Sequence, residues 1–408
     1  MIVSSNKMVK KVSEKLIEID SCLKHLTIKQ NEIGLLSGKT GIAIFWQYYS
    51  LYLNNDANYT NIISKTFEEV FDGISEGNNY HTFCNGIAGV GWAIEHFVQN
   101  KYMDNDSNEI LEEIDPYLAD KMIYDLEKEN NYDFLHGAIG IGIYFLNHLL
   151  NLKSKEYLVQ LIDVLGSQSI EENDGSLKWK SVVLDINEQP IYVFNLSLSH
   201  GMASIVAFLA KAYSKDINRA KSKYLLEGVI KYLLKNRLDA KIYNSSFRSW
   251  IGENNEEING SRLAWCYGDL GIAAAIYQAG VALNRQDWIN IAIEVLLRTS
   301  SRRDLLKETV IDAGLCHGTA GIAHIYNRMY LCTGIEKFKE TSSFWMEETL
   351  NMAKFEDGLA GYKAWHGTEN SDWVNTYGIL EGIAGIGLSF ISAISNIEPI
   401  WDECLLLS

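Results

Sequence analysis

The chain has 408 residues, 47% hydrophobic and 22% charged, with 31 glycines and only three prolines. That composition excludes disorder, and the length allows two or three domains unless a repeat architecture makes one long unit. A net charge of −16 with no basic tract excludes nucleic acid or an anionic membrane surface as the main partner.

The N-terminal stretch is a lysine-bearing amphipathic pattern, not an apolar signal region. Val9, Val12, Leu16, Ile19 and Leu23 recur at helical spacing with Lys and Glu opposite, which predicts a helix with one wet face. Similar patterns cover Ile63–Phe71, Ile110–Ile123, Leu226–Leu233 and Phe344–Phe355. Between them one punctuation mark recurs seven times: Gly38/Gly41, Gly86/Gly89, Gly137/Gly140, Gly201/Ser204, Gly268/Gly271, Gly318/Gly321 and Gly382/Gly385. The first glycines stand 48, 51, 64, 67, 50 and 64 residues apart. Each pair opens about a dozen residues that are apolar on nearly every side, as a helix buried all round requires. Amphipathic outer helix, loop, small-residue pair and buried inner helix, repeated seven times, predict an all-α fold: an α/α toroid of seven inner and seven outer helices, forming a single domain over 1–408. Closure into a ring accounts for the lack of terminal capping repeats.

One stretch breaks the pattern. Leu177–Leu184 and Ile191–Leu196 are rich in Val, Ile and aromatics, with Asn187-Glu188-Gln189-Pro190 between them. They predict a small β-hairpin insertion at about 177–196, before the fourth inner helix. The longest uncharged run, Gly382–Ile397, is short and rich in Gly and Ser for a membrane span, so a cytoplasmic protein is expected.

In such a ring the residues just before each glycine pair gather at one rim: Ser37, Asn85, His136, His200, Tyr267, His317 and Glu381, preceded by Leu36, Cys84, Leu135, Ser199, Cys266, Cys316 and Leu380. Concentrated titratable groups mark a site. Cys266, Cys316 and His317 come from consecutive repeats. Two thiolates and an imidazole suit zinc, and three protein ligands leave one position open, as in catalytic zinc sites. Taken as bare residues, His200 could be a loop histidine bonded to a carbonyl, Asp133 a helix cap and Arg262 an ordinary ion-pair partner. Cys84 reads as core, as do Cys22 and Cys332 on outer helices. His136, His324 and His366 read as structural.

Trp265-Cys266-Tyr267-Gly268 and Cys316-His317-Gly318-Thr319-Ala320-Gly321, with the seven small-residue pairs, resemble the lanthionine synthetase C-like family over nearly the whole chain. The length resembles its stand-alone cyclases. The resemblance implies a zinc-dependent lanthionine synthetase with one Zn(2+) per chain, held by Cys266, Cys316 and His317. It would add precursor-peptide Cys thiols to dehydroalanine or dehydrobutyrine by Michael addition, forming lanthionine or methyllanthionine rings. It also implies His200 as the acid that protonates Cα, Asp133 as its orienting or proton-handling partner, Arg262 as a stabiliser of the enolate and Tyr267 beside the metal. The implied partners are a dehydrated precursor peptide with its leader, a dehydratase and an ABC exporter, which would place the protein at the inner face of the cell membrane. The hairpin is a candidate leader contact as an insertion. Two alternatives remain: a relative of the same fold that adds glutathione, and a non-catalytic peptide-binding scaffold of a synthetase complex. A ring-fold glycosidase would want paired carboxylates at the rim, where this chain has histidines and cysteines.

Overall fold

A computed structural model describes residues 6–77, 80–104, 106–184, 189–252, 260–367 and 373–408. In chain order the elements are α1 (Asn6–His25), α2 (Lys39–Tyr52), α3 (Asn58–Ser75), α4 (Ile87–Gln99), α5 (Ser107–Leu111), α6 (Asp115–Glu129), α7 (Ala138–Asn147) and α8 (Leu152–Gln168). Four strands follow: β1 (Ile170–Glu171), β2 (Leu177–Lys178), β3 (Ser181–Leu184) and β4 (Pro190–Asn195). Next are α9 (Met202–Ser214), α10 (Arg219–Lys235), β5 (Trp250–Gly252), α11 (Asp269–Ala282), α12 (Gln286–Thr299), α13 (Thr319–Thr333) and α14 (Glu336–Asn351). The chain closes with β6 (Ala364–Trp365), β7 (Trp373–Val374), α15 (Ile383–Ile394) and a 3-10 turn, Ile400–Leu405. None of the described helices is long and apolar enough to cross a membrane.

The sequence pattern sorts these helices into two kinds. On α1, Val12, Leu16, Ile19, Asp20 and Leu23 are buried, while Lys10, Lys11, Glu14 and Glu18 face water. On α15 every residue from Ile383 to Ile394 is buried, and on α7 every residue from Ala138 to Asn147. Full burial of each Leu, Ile or Phe contributes roughly 1.5–3 kcal/mol, so the inner helices carry most of the core. Where a single amphipathic helix over Ile110–Ile123 is expected, the chain makes α5 and α6 instead. Pro116 sits in the first turn of α6, where its missing N–H costs nothing and its ring bars continuation from α5.

The helices fall into two compact units. The first comprises 1–80, 84–93 and 300–403. In it α15 packs between α13 and α2, so the last inner helix meets the first. Outer helix α1 covers α15 and α14, α3 covers α2, and α14 covers α13. The Asp402 carboxylate ties the closing 3-10 turn to α13, accepting from Arg328 at 2.8 Å and pairing with His324 at 2.8 Å. His324 is thus the structural residue expected.

The second unit comprises 81–83, 94–299 and 404–408. Here α9 packs between α7 and α11, with α6 and α8 on α7, α10 on α9 and α12 on α11. Its core holds a polar cluster with no sequence signature. His148, fully buried, pairs through Nδ1 with Glu95 and through Nε2 with Asp115 at 3.1 Å. Tyr144 donates to the same Asp115 at 2.5 Å, and Asn151 at 2.6 Å. Burial alone would lower the His148 pKa, but its two carboxylate partners raise it to about 9.

The hairpin is present: β3 pairs antiparallel with β4, Val182 opposite Tyr192. Asn187 and Glu188 of the expected turn lie outside the described residues. Two features differ from expectation. Leu177 and Lys178 leave the hairpin and pair with β1, and β5 adds a third strand to β4. Two- and three-residue strands are too short for a period-2 signal. The cysteine expectations need one correction: Cys332 lies at the exposed end of the inner helix α13, while Cys22 is half-buried on α1.

Candidate metal and proton-transfer site

Every inner helix described with a cap begins at its first glycine without a side-chain cap: Gly38, Gly137, Gly201, Gly268, Gly318 and Gly382. The preceding loop supplies the cap from its own backbone. Lys39, Ala138, Thr319 and Ile383 each donate N–H to the carbonyl seven residues back, at 2.9, 3.2, 3.1 and 3.3 Å. The second small residue is where that loop lies against the helix. A Cβ at Gly140, Gly271, Gly321 or Gly385 would come within 1.8–2.3 Å of the carbonyl oxygen six residues earlier. In the fourth repeat Ser204 turns its hydroxyl back to the Gly201 carbonyl at 2.7 Å. The pair therefore folds each loop over its own helix start, and residues one and two before the first glycine ride on that turn. Gly268 goes further: its φ of +104° is left to glycine, and a Cβ there would meet the Arg262 carbonyl at 2.4 Å.

In the second unit the loops before α7 and α9 bring Asp133 and His200 together. His200 Nδ1 lies 2.5 Å from Asp133 Oδ2. The other oxygen, Oδ1, accepts the His136 backbone N–H at 2.8 Å. Burial pushes the His200 pKa down, but the hydrogen bond and charge of Asp133, with Cys266 adding to them, raise it overall. Tyr267, before Gly268, stands 6.0 Å from His200 ring to ring and 6.1 Å edge-on from Trp250 of β5. These side chains open on a cavity of about 910 Å³. Its walls are the α6–α7 loop from Glu129 to His136, the β3 residues Ser181–Val183, Trp250 and Tyr267. Cys266 is buried beside Tyr267, and the neighbouring Trp265 donates its indole N–H to the Leu405 carbonyl at 2.9 Å. Arg262 is half-buried at the start of the same loop.

In the first unit Cys316 and His317 precede Gly318, with Cys316 buried. His317 Nε2 lies 3.1 Å from Asp312 Oδ2. Asp312 also accepts from the Gly314 and Trp365 backbone N–H groups, at 3.1 and 3.0 Å. Burial opposes its ionisation, yet His317 and these donors hold its pKa below the usual carboxylate value. The sequence pattern does not single out Asp312, which lies against the candidate ligand His317. Asp312 engages the His317 ring through Nε2, the carboxylate–histidine arrangement that supports metal sites. A weak signal existed: the residue six before the first glycine is Asn131, Asn195 and Asp312 in three repeats, and each accepts the N–H two residues on.

Among the described residues, Cys266, Cys316 and His317 make a set that could hold a metal ion. Two sulfurs and an imidazole nitrogen are a soft, borderline donor set, which fits zinc and not magnesium or calcium.

A helical chain of glycine-opened inner helices with a Cys/Cys/His donor set belongs to one group of proteins. The profile described as "Lanthionine synthetase C-like protein" matches residues 6–406, and the chain belongs to that family. It is 26% identical over 343 residues to the nisin biosynthesis protein NisC of Lactococcus lactis subsp. lactis, covering 79% of this chain and 76% of that protein. Its structure resembles that of nisin cyclase with a TM-score of 0.75 at 22% identity, over 99% of this chain and 98% of the other. That likeness shows the fold, and the α/α-toroid class expected from the sequence stands.

Proposed function

We propose that this protein is a zinc-dependent lanthionine synthetase that adds cysteine thiols of a dehydrated precursor peptide to dehydroalanine or dehydrobutyrine. The observation that carries the reading is the donor set Cys266, Cys316 and His317, with the His317 ring already engaged by Asp312. Family membership over 6–406 supports it and supports treating 1–408 as one cyclase domain. The three residues would hold one Zn(2+) per chain. Bound there, zinc supplies a Lewis acid that lowers the pKa of a thiol entering the open position, so that the thiol reacts as thiolate at neutral pH.

The chain's own residues do the rest. Sulfur attacks Cβ, and the electron pair moves to Cα and its carbonyl as an enolate. His200 is the acid: Asp133 raises its pKa and fixes its orientation through Nδ1, which leaves Nε2 to carry the transferred proton. That proton goes to Cα, completing the thioether. Arg262 would offset charge on the enolate oxygen. Tyr267 and Trp250 wall the cavity and restrict how the peptide lies. The hairpin strand β3 shares that wall, so the insertion contacts the peptide. By family likeness the protein works in the cytoplasm beside a dehydratase and an ABC exporter at the membrane's inner face, with a leader-bearing peptide as substrate.

Cyclisation leaves peptide mass unchanged and consumes one thiol per ring. Incubating the purified protein with a dehydrated peptide and then alkylating free thiols reads this out by mass spectrometry. Fewer alkyl adducts with wild type, and not with Cys316→Ala, support the reading. Adducts that persist at full number point to the scaffold alternative, and a mass gain equal to glutathione, when it is supplied, points to the other.

A further inference from the structure

His136 lines the same cavity as His200 and Tyr267, yet the family chemistry gives it no task. It sits at the rim position directly before Gly137, and its ring nitrogens have no hydrogen-bond partner among the described residues. The residue lies partly open to solvent, and its ring lies 19° from parallel to that of His200 and stands 6.3 Å from it centre to centre. That separation is too long for a direct hydrogen bond between rings and suits one bridging water. Asp133 joins the two residues: one oxygen holds the His200 ring, the other the His136 backbone N–H.

We infer that His136 is a proton relay, which reloads His200 between turnovers through a bridging water. The inference rests on the cyclase reading above. Each ring closure takes one proton from His200 Nε2 to Cα and releases one from the substrate thiol. His200 cannot recharge through Nδ1, which is bound to Asp133. Its ring is only about one-third exposed, 32% of the side chain, and a peptide in the cavity would cover the remainder. His136 stands at the exposed side and can take a proton from solvent or from the thiol. It passes that proton through the water to His200 and returns to neutral, so one proton enters and one leaves per ring. The direction is downhill. Burial, opposed by Asp133 and aided by the His200 charge, lowers the His136 pKa, while that of His200 is raised. The other ionisable groups lining the cavity are Glu129, Tyr132, Asp133 and Tyr267.

The test uses full-length His136→Phe and His136→Gln, substitutions at an exposed position. With saturating dehydrated peptide in weak buffer, kcat should fall at least about tenfold, less than the roughly 10²–10⁴ that the transferring acid itself is worth. KM and zinc content should stay at wild-type values, and added imidazole should restore the rate. A histidine-ring NMR titration without peptide gives a readout apart from turnover: His136 should titrate below His200, and the His136 titration should move up in His200→Asn, which removes the neighbouring charge. Wild-type kcat in weak buffer, a loss that imidazole does not relieve, or a His136 titration unmoved in His200→Asn would each overturn the relay. If wild type itself consumes no thiol, the cyclase reading fails, and the NMR result still decides whether the two rings are coupled.

Discussion

The loop before α7 and the loop before α13 are the same turn put to different uses. Both place an Asx side chain six residues before the first glycine, and in both the first glycine's N–H closes on the carbonyl four back, at 3.1 Å. In the loop before α13 the carboxylate is at that sixth position, and Asp312 holds the histidine of its own loop. In the loop before α7 the sixth position is Asn131, a neutral brace, and the carboxylate has moved to Asp133. From there it reaches the histidine of the next repeat, His200. In the proposed mechanism the first arrangement would fix an imidazole as a ligand, and the second would leave an imidazole tethered at Nδ1 to act through Nε2. A shift of two positions for one carboxylate would thus separate the proposed metal holding from the proposed proton transfer.

The hardest strike at that contrast is to remove a ligand. Cys316→Ala should lose bound zinc and all thiol consumption, read by metal mass spectrometry and alkylation, while His200→Asn should keep its zinc and lose about 10²–10⁴-fold in kcat. Next comes the exchange of carboxylate roles. Asp312→Asn should weaken zinc binding about 10–100-fold in chelator competition. Asp133→Asn should leave zinc untouched and remove the charge that raises the His200 pKa. Because the proton donor is the acid form, the alkaline limb of the rate profile should then move to lower pH; a limb that stays in place breaks the pairing of roles.

Smaller effects concern the scaffold. Gly385→Ala sets a Cβ 1.8 Å from the Ile379 carbonyl oxygen and should cost about 1–3 kcal/mol in denaturant unfolding. Ser204→Ala loses only a hydroxyl bond to the Gly201 carbonyl and should cost about 1 kcal/mol. The buried His148 cluster makes a pH prediction of definite sign. Its folded pKa, about 9, lies above the unfolded value near 6.5. The stabilisation, on the order of 3 kcal/mol, is therefore full below about pH 6.5 and lost as pH rises through 9. Unfolding midpoints that do not fall across that window would contradict the charged His148.

The sequence revealed whatever repeats or lies within one turn. The seven small-residue pairs announce the inner helices because close approach of loop to helix bars a side chain at Gly140, Gly271, Gly321 and Gly385, and the fourth repeat carries the small Ser204. The wet and dry faces of α1 follow from 3.6-residue spacing. Pairings across elements left no such trace. Glu95, Asp115 and His148 sit on three elements and look in sequence like ordinary surface residues. Asp312 does not stand out either, because an aspartate two residues before a glycine reads as a turn former, and nothing local says that its second oxygen faces His317. His136 read as structural because its meaning depends on the ring of His200, one repeat away.

The closing residues set a condition on how the protein forms. Cys404–Leu407 are buried within the unit whose other residues end at Thr299, and the Leu405 and Leu406 carbonyls accept from Trp265 and from Gln278 of α11. All of 300–403 is made in between. The loop bearing Cys266 therefore leaves the ribosome long before the segment that braces it. Such high sequence separation slows folding and makes the final structure of that loop a late event.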